Sequence, residues 1–482
     1  MLNSYFKSLQ LNKLYTYIKK IINMKKIFIL LVLCAFGISS ALAQQAKYVF
    51  YFIGDGMGLN QVNVTELYLA SLEGRIGIEH LEFADFPYST FATSFASNTD
   101  VTDSAAAGTA LATGHKTKSG MLGMTADSVA VNSIAYWAKK SGKKVGICTN
   151  VIIDDATPAA FYAHQTNRGH YHPIGMQMAE SGYDYFAGSD FRRPVENGVD
   201  LHTVCADHGY TWAYGYDEAK AKWQSAEKLI MVQRKDRPRD IPYTIDRTEQ
   251  DLTMSQIVET GINMLMKNNK NGFFFMVEGG AIDHACHGRD AMTTIKDVID
   301  FNESIKLAID FYKKHPKETL IVVTADHETG GIVPGNGPYH LNLDLLQHQT
   351  CSTDAVTEKL NNLKRNRMRK TWDDIKTVLS ESYGLFTKVK LSESEENTLH
   401  EAYEAAFEGD AKEENWYSTN SALAAKARDM LNRKAGISWA SGSHSGGYVP
   451  VFTIGVGAEK YHGRLNNIDI PEITAKIAGY KK

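Results

Sequence analysis

Short apolar runs rich in β-branched and aromatic side chains punctuate the chain at Tyr48–Ile53, Lys144–Thr149, Gly272–Val277, Thr319–Thr324 and Pro450–Val456. None alternates polar with apolar, so each predicts a strand buried on both faces, as in a parallel sheet covered by helices. Helical patterns lie between them: Asp103 to about Thr113 ended by Gly114, Ser133–Ser141 ended by Gly142, Asp251–Asn268, and Ile295–His315 before Pro316. The predicted fold is α/β, a doubly wound, mostly parallel sheet flanked by helices. Ligands bind such sheets beyond the carboxyl ends of the strands. No long period recurs, which excludes repeat architectures.

Two stretches break the rhythm. Residues 183–248 are aromatic and charged with little strand–helix alternation, and are expected to form a surface excursion. Residues 345–436 are polar and helical: Ser392-Glu393-Ser394-Glu395 reads as a capping box, followed by a stripe of Leu399, Tyr403 and Phe407, with a second stripe at Trp372, Ile375 and Leu379. The expected organisation is an α/β core over 44–344, a helical insertion over 345–436 and a return to the core over 437–482.

The N-terminus changes the setting. Met24-Lys25-Lys26, the apolar run Ile27–Phe36 and Ala41-Leu42-Ala43 form the charged, apolar and small-x-small segments of a secretory signal. The run is too short to span a bilayer comfortably. Residues 1–43 are therefore expected to be an extension plus signal, starting at Met24 and cleaved after Ala43. The mature protein is expected to be exported, periplasmic or secreted, with no transmembrane anchor. Four cysteines then remain, Cys148, Cys205, Cys286 and Cys351, none at zinc-ligand spacing and none pointing to a particular disulfide. The 52 basic and 55 acidic residues of the 482 give a net charge of −3, so electrostatics offers no reason to expect a nucleic-acid partner.

The chemistry gathers at strand ends. Asp55 follows the first strand within Gly54-Asp55-Gly56-Met57-Gly58. Glu278 to His287 holds Glu278, Asp283, His284 and His287, Asp326-His327 ends another strand, and His444 lies in Ser443-His444-Ser445-Gly446-Gly447. Histidine with aspartate suits zinc, and carboxylate with hydroxyl oxygens suits magnesium. Ser104 opens the helix Ser104-Ala105-Ala106-Ala107-Gly108, where unsatisfied N–H groups favour an anion; taken alone it reads more readily as an ordinary cap formed by Asp103 or Ser104. Asp154-Asp155-Ala156-Thr157-Pro158 and Arg168 add oxygen ligands and a guanidinium able to hold two phosphoryl oxygens. Together they point to metal-assisted phosphoryl transfer.

With these motifs in view the sequence resembles the alkaline phosphatase family. The matching motifs are Asp55-Gly56-Met57-Gly58, Thr102-Asp103-Ser104-Ala105-Ala106, Asp155-Ala156-Thr157-Pro158 with Arg168, Glu278-Gly279 with Asp283 and His287, Thr324-Ala325-Asp326-His327, and Gly442 with His444-Ser445-Gly446, in the family's order. The resemblance implies a phosphomonoesterase using two zinc ions and one magnesium. Ser104 is implied as the nucleophile that becomes phosphoserine, with Arg168 clamping phosphoryl oxygens and Asp103 orienting Arg168. Asp283, His287 and His444 are implied for the first zinc, and Asp55, Asp326 and His327 for the second. Asp55, Thr157 and Glu278 are implied for magnesium, with Asp155 reaching it through water. His284 lies where family members differ, which leaves the third metal's identity open. The expected partners are small phosphate monoesters, and the family favours homodimers.

Two other readings compete. A diesterase or sulfatase of the same superfamily would often use threonine or a modified cysteine and lack the third-metal acids, against which Ser104, Thr157, Glu278 and Arg168 weigh. A non-catalytic metal- or phosphate-binding surface protein would be expected to have lost a ligand.

Overall fold

The computed structural model describes residues 13–26, 45–365, 370–408 and 416–482. It divides into two units, Met1–Gln45 and Ala46–Lys482. In the first, residues 13–26 form an exposed helix. The apolar run and cleavage motif of the expected signal lie outside the described residues. No described helix is long and apolar enough to cross a membrane.

The second unit is built on a ten-stranded sheet. Its strands are β1 (Tyr48–Gly54), β2 (Tyr88–Thr93), β3 (Lys144–Ile152), β4 (Tyr185–Ser189), β5 (Tyr210–Tyr214), β6 (Lys228–Val232), β7 (Phe273–Gly279), β8 (Thr319–Thr324), β9 (Val449–Gly455) and β10 (Arg464–Asn466), in the order β10-β2-β9-β8-β1-β7-β3-β4-β6-β5. The fold is α/β, with a mostly parallel sheet between helices. β9 departs from the expected parallel set, pairing antiparallel with both β8 and β2. Every residue of β1, β7 and β8 is buried, which is why their sequences read as unbroken apolar runs.

The stretch 183–248 is not a surface excursion: it supplies β4, β5 and β6, which complete one edge of the sheet. Each is five residues long, and the helices between them, Leu201–Asp207 and Tyr216–Lys222, are seven. Elements this short carry too few positions for either periodicity to emerge.

Late in the chain come the helices Thr353–Arg365, Trp372–Tyr383, Glu393–Tyr403 and Trp416–Ala435. The capping box forms as expected, Ser392 and Glu395 each accepting the other's backbone N–H. Ile375, Leu379, Leu399 and Tyr403 turn into a second apolar cluster shared with Val64, Tyr68, Met292 and Ile295 from core helices. The stripes thus have a packing explanation.

Register sets the position of the chemistry. In the parallel pairing of β1 with β7 and β8, Ile53 stands beside Glu278 on one side and Thr324 on the other, while Gly54 faces Gly279. The residues just past these ends, Asp55 and Asp326, therefore emerge side by side with Glu278 at the carboxyl ends of these central strands.

Candidate metal and phosphoryl-transfer site

Asp55 begins the loop leaving β1, its N–H donating to the Gly279 carbonyl at 3.3 Å. Gly56 follows in the left-handed region at φ +69°, where a Cβ would sit 2.8 Å from Asp283 Oδ1. Only glycine fits that conformation and that gap without strain. The turn lets the Gly56 N–H donate to Asp326 Oδ1 at 3.2 Å, drawing the β1 and β8 loops together.

The acids and imidazoles converge there. One cluster is Asp55, Asp326 and His327, and another is Asp283, His327 and His444, with potential ligand atoms within 4.8 Å of one another in each. His327 Nε2 lies 3.4 Å from Asp55 Oδ1 and 3.1 Å from Asp326 Oδ2. His287 sits one turn after Asp283 on the helix Ala281–His287, its Nε2 3.2 Å from Asp283 Oδ2 and 3.1 Å from His444 Nε2. The family resemblance groups His287 with Asp283 and His444; His287 is the more exposed edge of that group, and His327 belongs to both clusters.

Ring orientation fits metal binding. His287 Nδ1 lies 2.8 Å from the Gly442 carbonyl and His444 Nδ1 2.8 Å from the Thr102 carbonyl. A carbonyl only accepts, so both Nδ1 atoms carry protons and both Nε2 atoms are turned inward. Asp55 Oδ1, Asp326 Oδ2 and Glu278 Oε2 are buried without a hydrogen-bond partner, a costly arrangement unless something cationic meets them. Nitrogen and oxygen donors of this kind fit divalent metal.

The electrostatics agree. Burial, then repulsion from Asp326, pushes the Asp55 carboxyl well above the ordinary range. Burial followed by the Asp155 charge raises Glu278 to about 8, and burial followed by Asp283 raises Asp326 to about 7. Burial and the neighbouring His444 lower His327 to about 3. Asp283 moves the other way, because His287 and His327 outweigh its burial. Carboxylates crowded in a buried pocket are the arrangement that a divalent cation relieves.

On the other side lies Ser104, first residue of the helix Ser104–Thr113 and 4% exposed. Its Oγ is 3.1 Å from His327 Nε2. The helix is built of small residues because it runs close to the helix Ala156–Ala159: a Cβ on Gly108 would lie 3.1 Å from Thr157 Cα. Asp103 caps it through the Ala106 N–H at 3.0 Å, a contact worth about 1 kcal/mol. Its other oxygen accepts from the Gly120 N–H at 3.0 Å and lies 3.6 Å from Arg168 Nη1. Arg168 Nη2 also donates to Asp155 Oδ1 at 3.0 Å. Thr157 donates to Asp55 Oδ2 at 3.2 Å, joining the helix Ala156–Ala159 to the carboxylate–imidazole cluster. His284 Nε2 lies 3.9 Å from Asp155 Oδ2. A cavity of about 650 Å³ opens here, lined by Asp155, Arg168, Tyr171, Arg192, Tyr243 and His284.

Two residues of the site went unassigned in the sequence. Glu328 accepts from Gln61 Nε2 at 2.6 Å, from Ser445 Oγ and from the Gly331 N–H. Thr329 donates to Asp283 Oδ1 at 2.5 Å. They form a two-residue strand paired antiparallel with His444-Ser445, Glu328 facing Ser445 and Thr329 facing His444. Their only sequence signal was adjacency to Asp326-His327.

Comparison with known proteins gives a consistent result. A family model described as alkaline phosphatase matches residues 46–200 and 224–480. Alkaline phosphatase 4 of Bacillus subtilis (strain 168) is 31% identical over 385 residues, covering 78% of this chain and 77% of its own. Alkaline phosphatase 3 of the same organism is 29% identical over 450 residues, 90% of each chain. Among solved structures, the cold-active enzyme of a psychrophilic Shewanella superposes with a TM-score of 0.77 at 25% identity, covering 89% of this chain and 99% of its own. The Thermus thermophilus alkaline phosphatase gives 0.75 at 25%, covering 92% and 93%.

Proposed function

Because the chain belongs to the alkaline phosphatase family and is accordingly a metal-dependent phosphomonoesterase, we propose that it hydrolyses phosphate monoesters through a phosphoserine on Ser104. The observation carrying this reading is the placement of the Ser104 hydroxyl, at a helix N-terminus, against His327 of the carboxylate–imidazole cluster. In the first step the Ser104 oxygen gives up its proton and bonds to phosphorus, the bond from phosphorus to the ester oxygen breaks, and that oxygen takes up a proton and leaves as the alcohol. In the second, the oxygen of water bonds to phosphorus, the Ser104–phosphorus bond breaks and inorganic phosphate leaves.

The chain's own groups orient these steps. The Arg168 fork holds two non-bridging phosphoryl oxygens, and Asp103 and Asp155 fix the fork by contacts at 3.6 and 3.0 Å. The N-terminal N–H groups of the Ser104 helix favour the added negative charge. The leaving group has room in the cavity beside Arg168.

Asp55, Asp326 and His327 would hold one zinc, Asp283, His287 and His444 a second, and Asp55, Thr157 and Glu278, with Asp155 behind them, a magnesium. Bound there, the metals supply the Lewis-acid charge that offsets the negative charge developing on the attacking and leaving oxygens. The signal pattern from Met24 to Ala43 supports export of the mature enzyme.

The reading is tested by trapping. Metal-loaded protein mixed with inorganic phosphate, quenched in acid and digested should yield a peptide phosphorylated at Ser104. Phosphate on another residue, or none under conditions of turnover, contradicts it.

A further inference from the structure

Thr329 is fully buried, and its hydroxyl lies between the two clusters. Its Oγ1 is 2.5 Å from Asp283 Oδ1 and 3.1 Å from His327 Nδ1. A threonine hydroxyl has one proton, and a carboxylate can only accept. The proton therefore goes to Asp283, and the Thr329 oxygen accepts from His327, whose Nδ1 must carry its hydrogen. That leaves His327 Nε2 with its lone pair facing Ser104, Asp55 and Asp326.

The threonine is itself tightly placed. Its N–H donates to the Gly56 carbonyl at 3.2 Å, and it pairs in register with His444. A Cβ on Gly56 would come within 3.0 Å of the Thr329 hydroxyl. One residue thus touches the loop carrying Asp55, the helix carrying Asp283, the imidazole of His327 and the strand carrying His444.

We propose that Thr329 is a positioning residue that couples the two metal sites, setting the tautomer of His327 in one and the carboxylate orientation of Asp283 in the other through a single hydroxyl. The inference rests on the metal-site reading above. Groups that orient metal ligands typically govern affinity by about 10–100-fold, and here one group orients a ligand in each site.

The test is zinc binding by the full chain. Wild type, Thr329→Val and Thr329→Ser are stripped of metal and titrated with zinc against a chromophoric chelator, with bound metal counted by elemental analysis. Thermal unfolding of the metal-free forms reports the scaffold separately. Thr329→Val keeps the shape and removes the hydroxyl: it should weaken zinc at both sites by about 10-fold or more, with unfolding of the metal-free form little changed, and Thr329→Ser should restore wild-type affinity. If the valine variant does not fold, Thr329→Ala takes its place in the same titration. Zinc bound by the variant as tightly as by wild type overturns the proposal, as does weakening at one site alone or failure of serine to rescue. Wild type that binds no zinc would overturn the metal-site reading as well, so the two failures are distinguishable.

Discussion

Arg168 and Asp155 are joined by a 3.0 Å hydrogen bond from Nη2 to Oδ1, while Nη1 of the same guanidinium lies 3.6 Å from Asp103. The fork that would meet a phosphoryl group is thus oriented by two acids, one capping the Ser104 helix and one adjoining the acids assigned to the third metal. Arg168→Ala should raise the inhibition constant for inorganic phosphate by roughly 10–100-fold, the scale of a charge-assisted hydrogen-bonded pair. Arg168→Lys should recover little of it, because an ammonium cannot make the bidentate contact. Unchanged phosphate inhibition in the alanine variant contradicts the clamp.

Ser104→Ala should cut kcat by roughly 10³-fold or more and abolish the phosphoenzyme, while metal content by elemental analysis stays near wild type. Ser104 Oγ meets His327 Nε2 at 3.1 Å but is not among the acids and imidazoles proposed to hold the metals. Retained turnover with a trapped phosphoenzyme elsewhere would move the nucleophile to another residue.

Glu278 Oε2 is buried without a hydrogen-bond partner. Glu278→Gln keeps the shape and removes the charge, so it should abolish activation by added magnesium while leaving the zinc content of the other two sites unchanged. Activity measured against magnesium concentration decides this, and an undiminished magnesium response contradicts the assignment of Glu278.

Away from the site, Asp297 is fully buried, with Oδ1 taking the N–H and hydroxyl of Thr244 and Oδ2 without a partner. Burial raises its carboxyl to about 7, against about 3.9 in an unfolded chain. Below about pH 4 both states are protonated. Between about pH 4 and 7 the fold keeps a proton that the unfolded chain has released, so stability falls as pH rises across that window. Asp297→Asn should flatten this part of the profile in chemical denaturation, and an unaltered slope contradicts it.

Much of this arrangement was readable before folding because Asp55, Glu278 and Asp326 end unbroken apolar runs, and runs of that kind become adjacent central strands whose ends coincide. Ser104 was readable from the small-residue helix it opens. What was not readable depended on packing between distant segments. His327 follows Asp326 in sequence, but its position between both clusters is set by Thr329 and by the pairing with His444-Ser445. Glu328 and Thr329 read as ordinary strand residues until their partners Gln61, Ser445 and Asp283 are in place. Strands β4 to β6 were missed because five residues flanked by charged turns show too little pattern. The reversal of β9 is a matter of topology, to which an apolar run is indifferent.

The most direct test of the central claim is hydrolysis of p-nitrophenyl phosphate against bis-p-nitrophenyl phosphate, before and after chelation and again with zinc and magnesium restored. The account predicts strong preference for the monoester, loss of that activity on chelation, and full recovery only when both metals return. Preference for the diester, or monoester hydrolysis indifferent to metal, would contradict it.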